Sequence, residues 1–335
     1  MRCMVIDIGS NTVKYDVFSV EGSEFTTDSH ASVPLRFISY IKEGVLEKTG
    51  FELLCETLLR YKKEAEEEYC DVIAAFATAS LRKIADPQPV IDRLKERTGL
   101  SIRLLSGEEE AACSFTGMLL TCPFLPRRGV MLDMGGGSTE FNFFEDKESL
   151  FLHSCPFGAL SLKNRFAPGK GLTAQENQAL FSFVQDLMPD SSAYKEHGKT
   201  AVLVGGTAKA CGKLATALLG VPKGENVFLR TAFTDLYRIF RNPTEKQWQE
   251  AKRLCPDRYQ LLSTGTAAFE CIFETLSTEQ IVICSGGIRE GFLPGICGLK
   301  HLQYRGIRKN EKNRSDPEAS AFRRDPLCPG SAFRL

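Results

Sequence analysis

The residues best placed to do chemistry lie in Val130-Met131-Leu132-Asp133-Met134-Gly135-Gly136-Gly137-Ser138-Thr139-Glu140-Phe141. An apolar run ends in a carboxylate, passes through three glycines and two hydroxyls, and resumes as Phe141-Asn142-Phe143-Phe144, which predicts strand, turn, strand. Glycines let the backbone adopt positive φ and bring its N–H groups close to a ligand, and successive N–H groups in such a turn form an anion-binding concavity. The chemistry is that of a phosphate cradle with an acid at its lip. A Rossmann or Walker loop is excluded, because no helix follows at once and no Gly-Lys-Ser/Thr ends the turn.

A second copy strengthens this reading. Cys3-Met4-Val5-Ile6-Asp7-Ile8-Gly9-Ser10-Asn11-Thr12-Val13-Lys14-Tyr15 overlays Gly129 to Phe141, with Asp7 on Asp133. Such self-similarity predicts two related domains, each presenting an acidic, glycine-bearing hairpin. If the hairpins face each other, the cleft between them holds a phosphate from both sides. Two further glycine turns end apolar strands: Gly205-Gly206-Thr207-Ala208 after Ala201-Val204, and Ser285-Gly286-Gly287 after Ile281-Cys284. The former opens a helix, whose N-terminal N–H groups also suit phosphate.

Three more groups could act on a phosphate. Lys14 shares a strand face with Thr12, so it either reaches back to the anion or is a solvated strand lysine. Thr78-Ala79-Ser80-Leu81-Arg82 follows the buried strand Val72-Ala77; arginine's planar fork matches phosphate oxygens, and a helix cap with a surface arginine is the alternative. Ser106 and Glu109 form a capping box at the start of a helix running to about Leu120. That box and the helix dipole account for Glu108 and Glu109. Glu110 remains, free to orient water or hold a metal in the cleft.

The supporting elements follow the periodicity. Helices are predicted over Phe51 to Tyr69, Pro89 to Arg97, Thr173 to Leu187, Glu245 to Cys255 and Tyr259 to Leu276, with strands at Ser101 to Leu105 and Ala201 to Val204. The short, proline-bearing, basic stretch Cys122 to Arg128 marks a domain boundary. We therefore expect domain I over 1–123 and domain II over 124–302, with a last helix at about 289–302 packing back on domain I. Residues 303–335 are basic, proline-bearing and without apolar periodicity, and are expected to be a disordered tail.

At 335 residues, 43% apolar and 25% charged, the chain can bury two ordinary cores. The formal net charge of zero argues against a chain-wide footprint for nucleic acid. Twelve cysteines without a C-x-x-C pair, and four isolated histidines, read as free thiols of a reducing compartment rather than a zinc site. The first strand begins almost at Met1 and no run approaches the roughly 18 residues of a membrane helix, so a cytoplasmic protein without a membrane partner is expected.

Together, Ile6-Asp7-Ile8-Gly9-Ser10-Asn11, Ala77 to Arg82, Ser106 to Ala111, Asp133 to Glu140, Gly205 to Ala208 and Gly286-Gly287-Ile288-Arg289-Glu290-Gly291 closely resemble the exopolyphosphatase and guanosine pentaphosphate phosphatase family. The resemblance covers residues 1 to about 302, in the family's motif order. It implies an α/β fold of two actin-like domains, of the sugar kinase, Hsp70 and actin superfamily, around a central cleft. It also implies hydrolysis of terminal phosphate from polyphosphate, or of pppGpp to ppGpp, with Mg²⁺ or Mn²⁺. By position, Glu110 and Glu140 match the acids credited with activating water, and Asp7, Asp133 and Glu140 those credited with metal. Ser10, Asn11, Lys14, Arg82, Gly135, Gly136, Ser138, Thr139, Gly206 and Thr207 fall at phosphate contacts. The chain resembles the short form, without the helical C-terminal domains of longer members. Preference between polyphosphate and guanosine penta- or tetraphosphate, and formation of a homodimer, stay open at this level.

Overall fold

The computed structural model describes residues 1–308 apart from 123, 168 and 300. The first half runs β1 (Arg2–Ile8), β2 (Val13–Glu21), β3 (Glu24–Val33), the two-residue strands β4 (Ile41–Lys42) and β5 (Val45–Leu46), α1 (Lys48–Glu67), β6 (Val72–Ala77), α2 (Gln88–Thr98), β7 (Ile102–Leu104) and α3 (Gly107–Thr121). The second half begins with β8 (Arg128–Met134), β9 (Thr139–Glu145), β10 (Glu148–Cys155), α4 (Ala159–Phe166), α5 (Ala174–Leu187), α6 (Lys195–Gly198), β11 (Thr200–Val204) and α7 (Gly205–Leu219). It continues with β12 (Val227–Leu229), α8 (Arg230–Arg241), α9 (Glu245–Leu254), α10 (Leu262–Leu276), β13 (Gln280–Ile283), α11 (Ile288–Cys297) and β14 (Gln303–Ile307).

Two six-stranded sheets carry the chain. One has the order β14-β3-β2-β1-β6-β7 and the other β10-β9-β8-β11-β13-β12. Without their last-added edge strands, β14 and β12, the two orders are the same: third, second, first, then two parallel strands reached by helical crossovers. The architecture is the actin-like one, in two copies. In each copy a hairpin opens the unit, and the predicted overlay holds in register: Asp7 pairs with Lys14 across β1–β2, and Asp133 with Glu140 across β8–β9. The central strands β1, β8 and β11 are almost wholly buried, which is why they read as continuous apolar runs.

Helices cover both faces of each sheet. Leu54, Leu58 and Tyr61 of α1, with Ile91 and Leu94 of α2, pack under the first sheet against Met4, Ile6 and Val17. Leu180 of α5, Leu214 of α7 and Phe269 of α10 do the same under the second, against Leu132 and Phe141. The remaining faces share an inner layer. Phe115 and Met118 of α3 pack on Met131 and Phe144, while Leu293 of α11 packs on Val5 and Phe76. The helix expected at the end of the chain thus lies on the first sheet. The two inner helices cross at glycines: a Cβ on Gly117 would lie 1.8 Å from the Gly287 carbonyl oxygen, and one on Gly291 would lie 1.7 Å from that of Cys113. Only glycine permits this approach, and it fixes α3, the carrier of Glu110, against α11.

The end of the folded chain needs correction. Gln303–Ile307, assigned above to a disordered tail, forms β14 in parallel with β3 on the edge of the first sheet. Tyr304 packs on Phe25, 5.1 Å between ring centroids, and Arg305 pairs with Glu24. Its outward side chains are Gln303, Arg305 and Ile307, and only Tyr304 and Gly306 are half-buried, so the strand lacks an apolar alternation and periodicity alone passes over it. Residues 309–335 lie outside the described residues.

Candidate active site

The carboxyl ends of β1, β6, β8, β11 and β13 all open into one cleft, the expected ligand position for sheets of this kind. Its cavity holds about 150 Å³. The two hairpin turns meet across it. A Cβ on Gly136 would sit 3.2 Å from the backbone N of Asn11, and one on Gly137 would sit 2.6 Å from Ser10 Oγ. Ser10 and Asn11 therefore face Gly135, Gly136 and Ser138 from the opposite half, all on the cavity wall. A hydrogen bond from Asn11 Nδ2 to the Asp257 carbonyl (3.4 Å) and another from Arg36 Nη2 to Gln260 Oε1 (2.8 Å) tie the halves at this point.

Four acids line the wall: Asp7, Glu110, Asp133 and Glu290. Burial holds the carboxyls of Asp7 and Asp133 above their ordinary range, opposed at Asp7 by Arg289 and Lys14 and at Asp133 by a hydrogen bond from Ser114. Ser114 Oγ donates to Asp133 Oδ2 at 2.6 Å from one turn further along α3 than Glu110. Burial also pushes Glu110 up to about 7, against the pull of Arg82. Arg82 Nη1 lies 2.8 Å from Glu110 Oε2, and the same nitrogen donates to the Leu105 carbonyl at 2.8 Å. A carboxylate that titrates near neutrality in a cleft is suited to take a proton from water.

Four cations balance these acids: Lys14, Lys209, Arg258 and Arg289. Burial and the neighbouring Arg258 and Arg289 press Lys14 down to about 7. Arg289 is committed to structure, donating from Nε to Asp16 (2.6 Å) and from Nη1 to Asp7 (3.4 Å). Arg258 is different. It is half-buried, and among the described residues its solvent-shielded Nη1 has no hydrogen-bond partner. A buried donor left unpaired is costly, and an arginine's fork fits phosphate oxygens.

Several predicted residues stand elsewhere. Glu140 is 1% exposed, lies behind the wall, and accepts from Ser154 Oγ at 3.0 Å. Its carboxyl is held well above the ordinary range by burial and by Glu110 and Asp133. Thr139 Oγ1 donates to the Phe157 carbonyl (2.8 Å), and Thr207 Oγ1 to that of Met134 (3.4 Å); both side chains are buried away from the cavity. Their hydroxyls hold the turn in shape rather than facing a ligand. Arg82 reaches the site through Glu110. Gly206 is on the wall beside Gly205, whose φ of +85° and 2.5 Å clearance between a built Cβ and Asp133 Oδ1 require glycine.

Residues 20–299 match the model of the Ppx/GppA phosphatase family. The chain belongs to that family. Exopolyphosphatase 1 of Mycobacterium leprae is 26% identical over 301 residues, 88% of this chain and 88% of that protein. The guanosine-5'-triphosphate,3'-diphosphate pyrophosphatase of Aeromonas hydrophila is 27% identical over 299 residues, 88% of this chain but only 59% of that protein. Among solved structures, an exopolyphosphatase from Cytophaga hutchinsonii superimposes with a TM-score of 0.79 at 18% identity, covering 90% of this chain and 99% of that one. The Aquifex aeolicus Ppx/GppA protein gives 0.71 at 22%, covering 89% and 97%. These structures share the fold.

Within this Ppx/GppA fold the sequence reading missed Lys209, Arg258, Arg289 and Glu290. Lys209 is four residues beyond Gly205, one turn into α7, and that spacing was a usable signal. Arg258 carried none, because its place depends on how the loop before α10 packs over Gly206. A cation fits the acid set: Glu110 is buried and Asp7 and Asp133 are half-buried, and Coulomb repulsion from Asp7 and Asp133 adds to the burial that raises Glu110. Among the described residues no group of three His, Cys, Asp or Glu could hold a metal on its own. A Mg²⁺ ion takes one or two carboxylates and completes its shell with phosphate oxygens and water, so this donor set suits an ion that arrives with a phosphate chain.

Proposed function

We propose that this protein hydrolyses the terminal phosphoanhydride bond of inorganic polyphosphate, with pppGpp as the second substrate to be tested. The observation that carries the reading is the meeting of two glycine turns on one cavity, with Glu110 at its edge and Arg258 Nη1 unpaired within it. A transferring phosphoryl group carries spread negative charge, so catalysis is chiefly positioning and neutralisation. Backbone N–H groups of the Ser10–Asn11 and Gly135–Ser138 turns cradle the terminal phosphate, and Arg258 and Lys14 meet its oxygens. Glu110 takes the proton from the attacking water, held by Arg82 in its orientation. Asp7 and Asp133 are the residues that would hold Mg²⁺, which supplies charge neutralisation at the phosphate oxygens when bound.

Polyphosphate is favoured over a nucleotide because no aromatic side chain lines the cavity wall among the described residues, leaving no surface for a base to stack on. The similarity of this chain to exopolyphosphatases over 87% to 88% of their length agrees with this. The test is release of inorganic phosphate, with Mg²⁺, from tripolyphosphate, long polyphosphate, pppGpp and ATP in parallel. Release from the polyphosphates is expected to lead. Release from ATP alone would replace the reading by that of an ATPase, and tight binding without release by that of a phosphate-chain carrier.

A further inference from the structure

The two turns that line the cleft also hold a second space on their far side. The 3₁₀ turn Phe37–Tyr40 is fastened to the first hairpin: the Arg36 N–H donates to the Asn11 carbonyl at 2.8 Å, and the Ile38 N–H to that of Ser10 at 3.1 Å. Helix α4 is fastened to the second, its Ser161 N–H donating to the Gly136 carbonyl at 2.9 Å. Between them lies an open groove of about 530 Å³, lined by Ile38, Ile41 and Lys83 from the first half and by Ser161, Asn164 and Arg165 from the second. Ser10 and Gly136 line the cleft, so one layer of backbone separates the two spaces.

The charge of the groove is one-sided. The cleft balances four acids with four cations, whereas the groove has two charged lining residues, both cationic and one from each half. Neither Lys83 nor Arg165 makes an ion pair or a side-chain hydrogen bond with a described residue. Arg165 lies over the Phe183 ring, 4.1 Å from its centroid. Such stacking occupies the face of a guanidinium and leaves its N–H edge for a ligand. Arg36, two residues before Ile38, and Lys163, next to Asn164, add positive charge close by; burial and Arg36 together press Lys163 below its ordinary range. Like charges on the two sides of a groove concentrate anions between them.

We propose that this groove is a second anion site, which takes the phosphates of a condensed phosphate chain. Lys83 and Arg165 meet the chain oxygens from opposite halves, and the Ser161 hydroxyl and Asn164 amide donate between them. Single-stranded nucleic acid is disfavoured, because no aromatic side chain lines the groove for a base to stack on. The phosphates have two possible sources, the far part of the chain whose end sits in the cleft or a separate oligophosphate. The first source rests on the hydrolase reading; binding in the groove does not.

The test measures binding of end-labelled long-chain polyphosphate to the full chain by fluorescence anisotropy without divalent metal, beside calorimetric titration with tripolyphosphate. Lys83→Gln and Arg165→Gln should each weaken long-chain binding at least about tenfold, and the charge-keeping Lys83→Arg should not. If the groove holds the far part of the substrate, tripolyphosphate binds at one site per chain, and both variants raise KM for long polyphosphate while leaving tripolyphosphate turnover unchanged. If it holds a separate oligophosphate, tripolyphosphate binds at two sites per chain and either substitution removes one. Long-chain binding unchanged in both variants would overturn the site. So would equal displacement of the chain by polyglutamate, which would make the groove a patch for any polyanion. A lowered melting temperature with loss of all tripolyphosphate binding would overturn it in favour of a structural role for the two cations. If no substrate releases phosphate, the hydrolase reading fails, and the metal-free binding still decides whether the groove takes a phosphate chain.

Discussion

Replacing Glu110 by glutamine keeps the shape of the side chain and removes its charge. Two effects of opposite sign follow from its setting. As the group that takes the proton from water it supplies on the order of 10²- to 10⁴-fold in rate, or about 3 to 5 kcal/mol of barrier. As a buried carboxyl moved from 4.5 to about 7, its ionised form in the folded protein is destabilised by about 3 kcal/mol. A raised carboxyl of this kind contributes stability that is intact below about 4.5 and lost as pH rises through about 7. At pH 8 wild-type Glu110 is charged and strained, so Glu110→Gln should melt higher, by about 6 °C at roughly 2 °C per kcal/mol in a chain of this size. At pH 5.5 the gain should be about half as large. Calorimetry at both pH values, beside phosphate release from tripolyphosphate, reads the two effects together. Slower release in a more stable protein is the expected result. Unchanged release would remove Glu110 from the mechanism, and a lowered melting temperature at pH 8 would make it a structural partner of Arg82 instead.

Three other perturbations follow from the same geometry. Arg258→Gln removes a half-buried guanidinium with one shielded, unpaired nitrogen, so competitive inhibition by inorganic phosphate should weaken at least about tenfold with no loss of thermal stability. Gly206→Ala places a methyl group 2.8 Å from that guanidinium and should raise KM likewise, with little further effect when combined with Arg258→Gln; additive effects would deny that the two act through one contact. The pH profile of kcat/KM should be a narrow bell near 7, rising as Glu110 ionises and falling as Lys14 loses its proton; Lys14→Arg should abolish the alkaline fall and leave the acid limb.

Much of this was legible because the strongest sequence signals are also the ones that build the cleft. A buried strand that stops at a carboxylate and a glycine can only turn, and two such turns at matching positions specify the duplicated sheets and place Asp7 and Asp133 alike. The capping box at Ser106 fixed the phase of α3, and so left Glu110 as the acid pointing into the cleft. Hydroxyls were the weak point. Thr139 and Thr207 stand beside the right glycines, but a threonine next to a tight turn has a backbone carbonyl within reach, and here both donate to one. Arg258 was invisible for the converse reason: forty-nine residues beyond Lys209, it enters the site only through packing of the loop before α10 on α7. β14 was missed because a five-residue edge strand with a glycine, one inward aromatic and an outward isoleucine shows no apolar alternation.

The central claim is that one phosphate chain is held by both halves of the molecule at once. A crystal structure of the protein with imidodiphosphate and Mg²⁺ tests it most directly. We expect the terminal phosphate to accept hydrogen bonds from backbone N–H groups of both the Ser10–Asn11 and the Gly135–Ser138 turns, with Arg258 Nη1 on the same group. A phosphate held by one turn alone, or seated outside the cleft, would contradict the account.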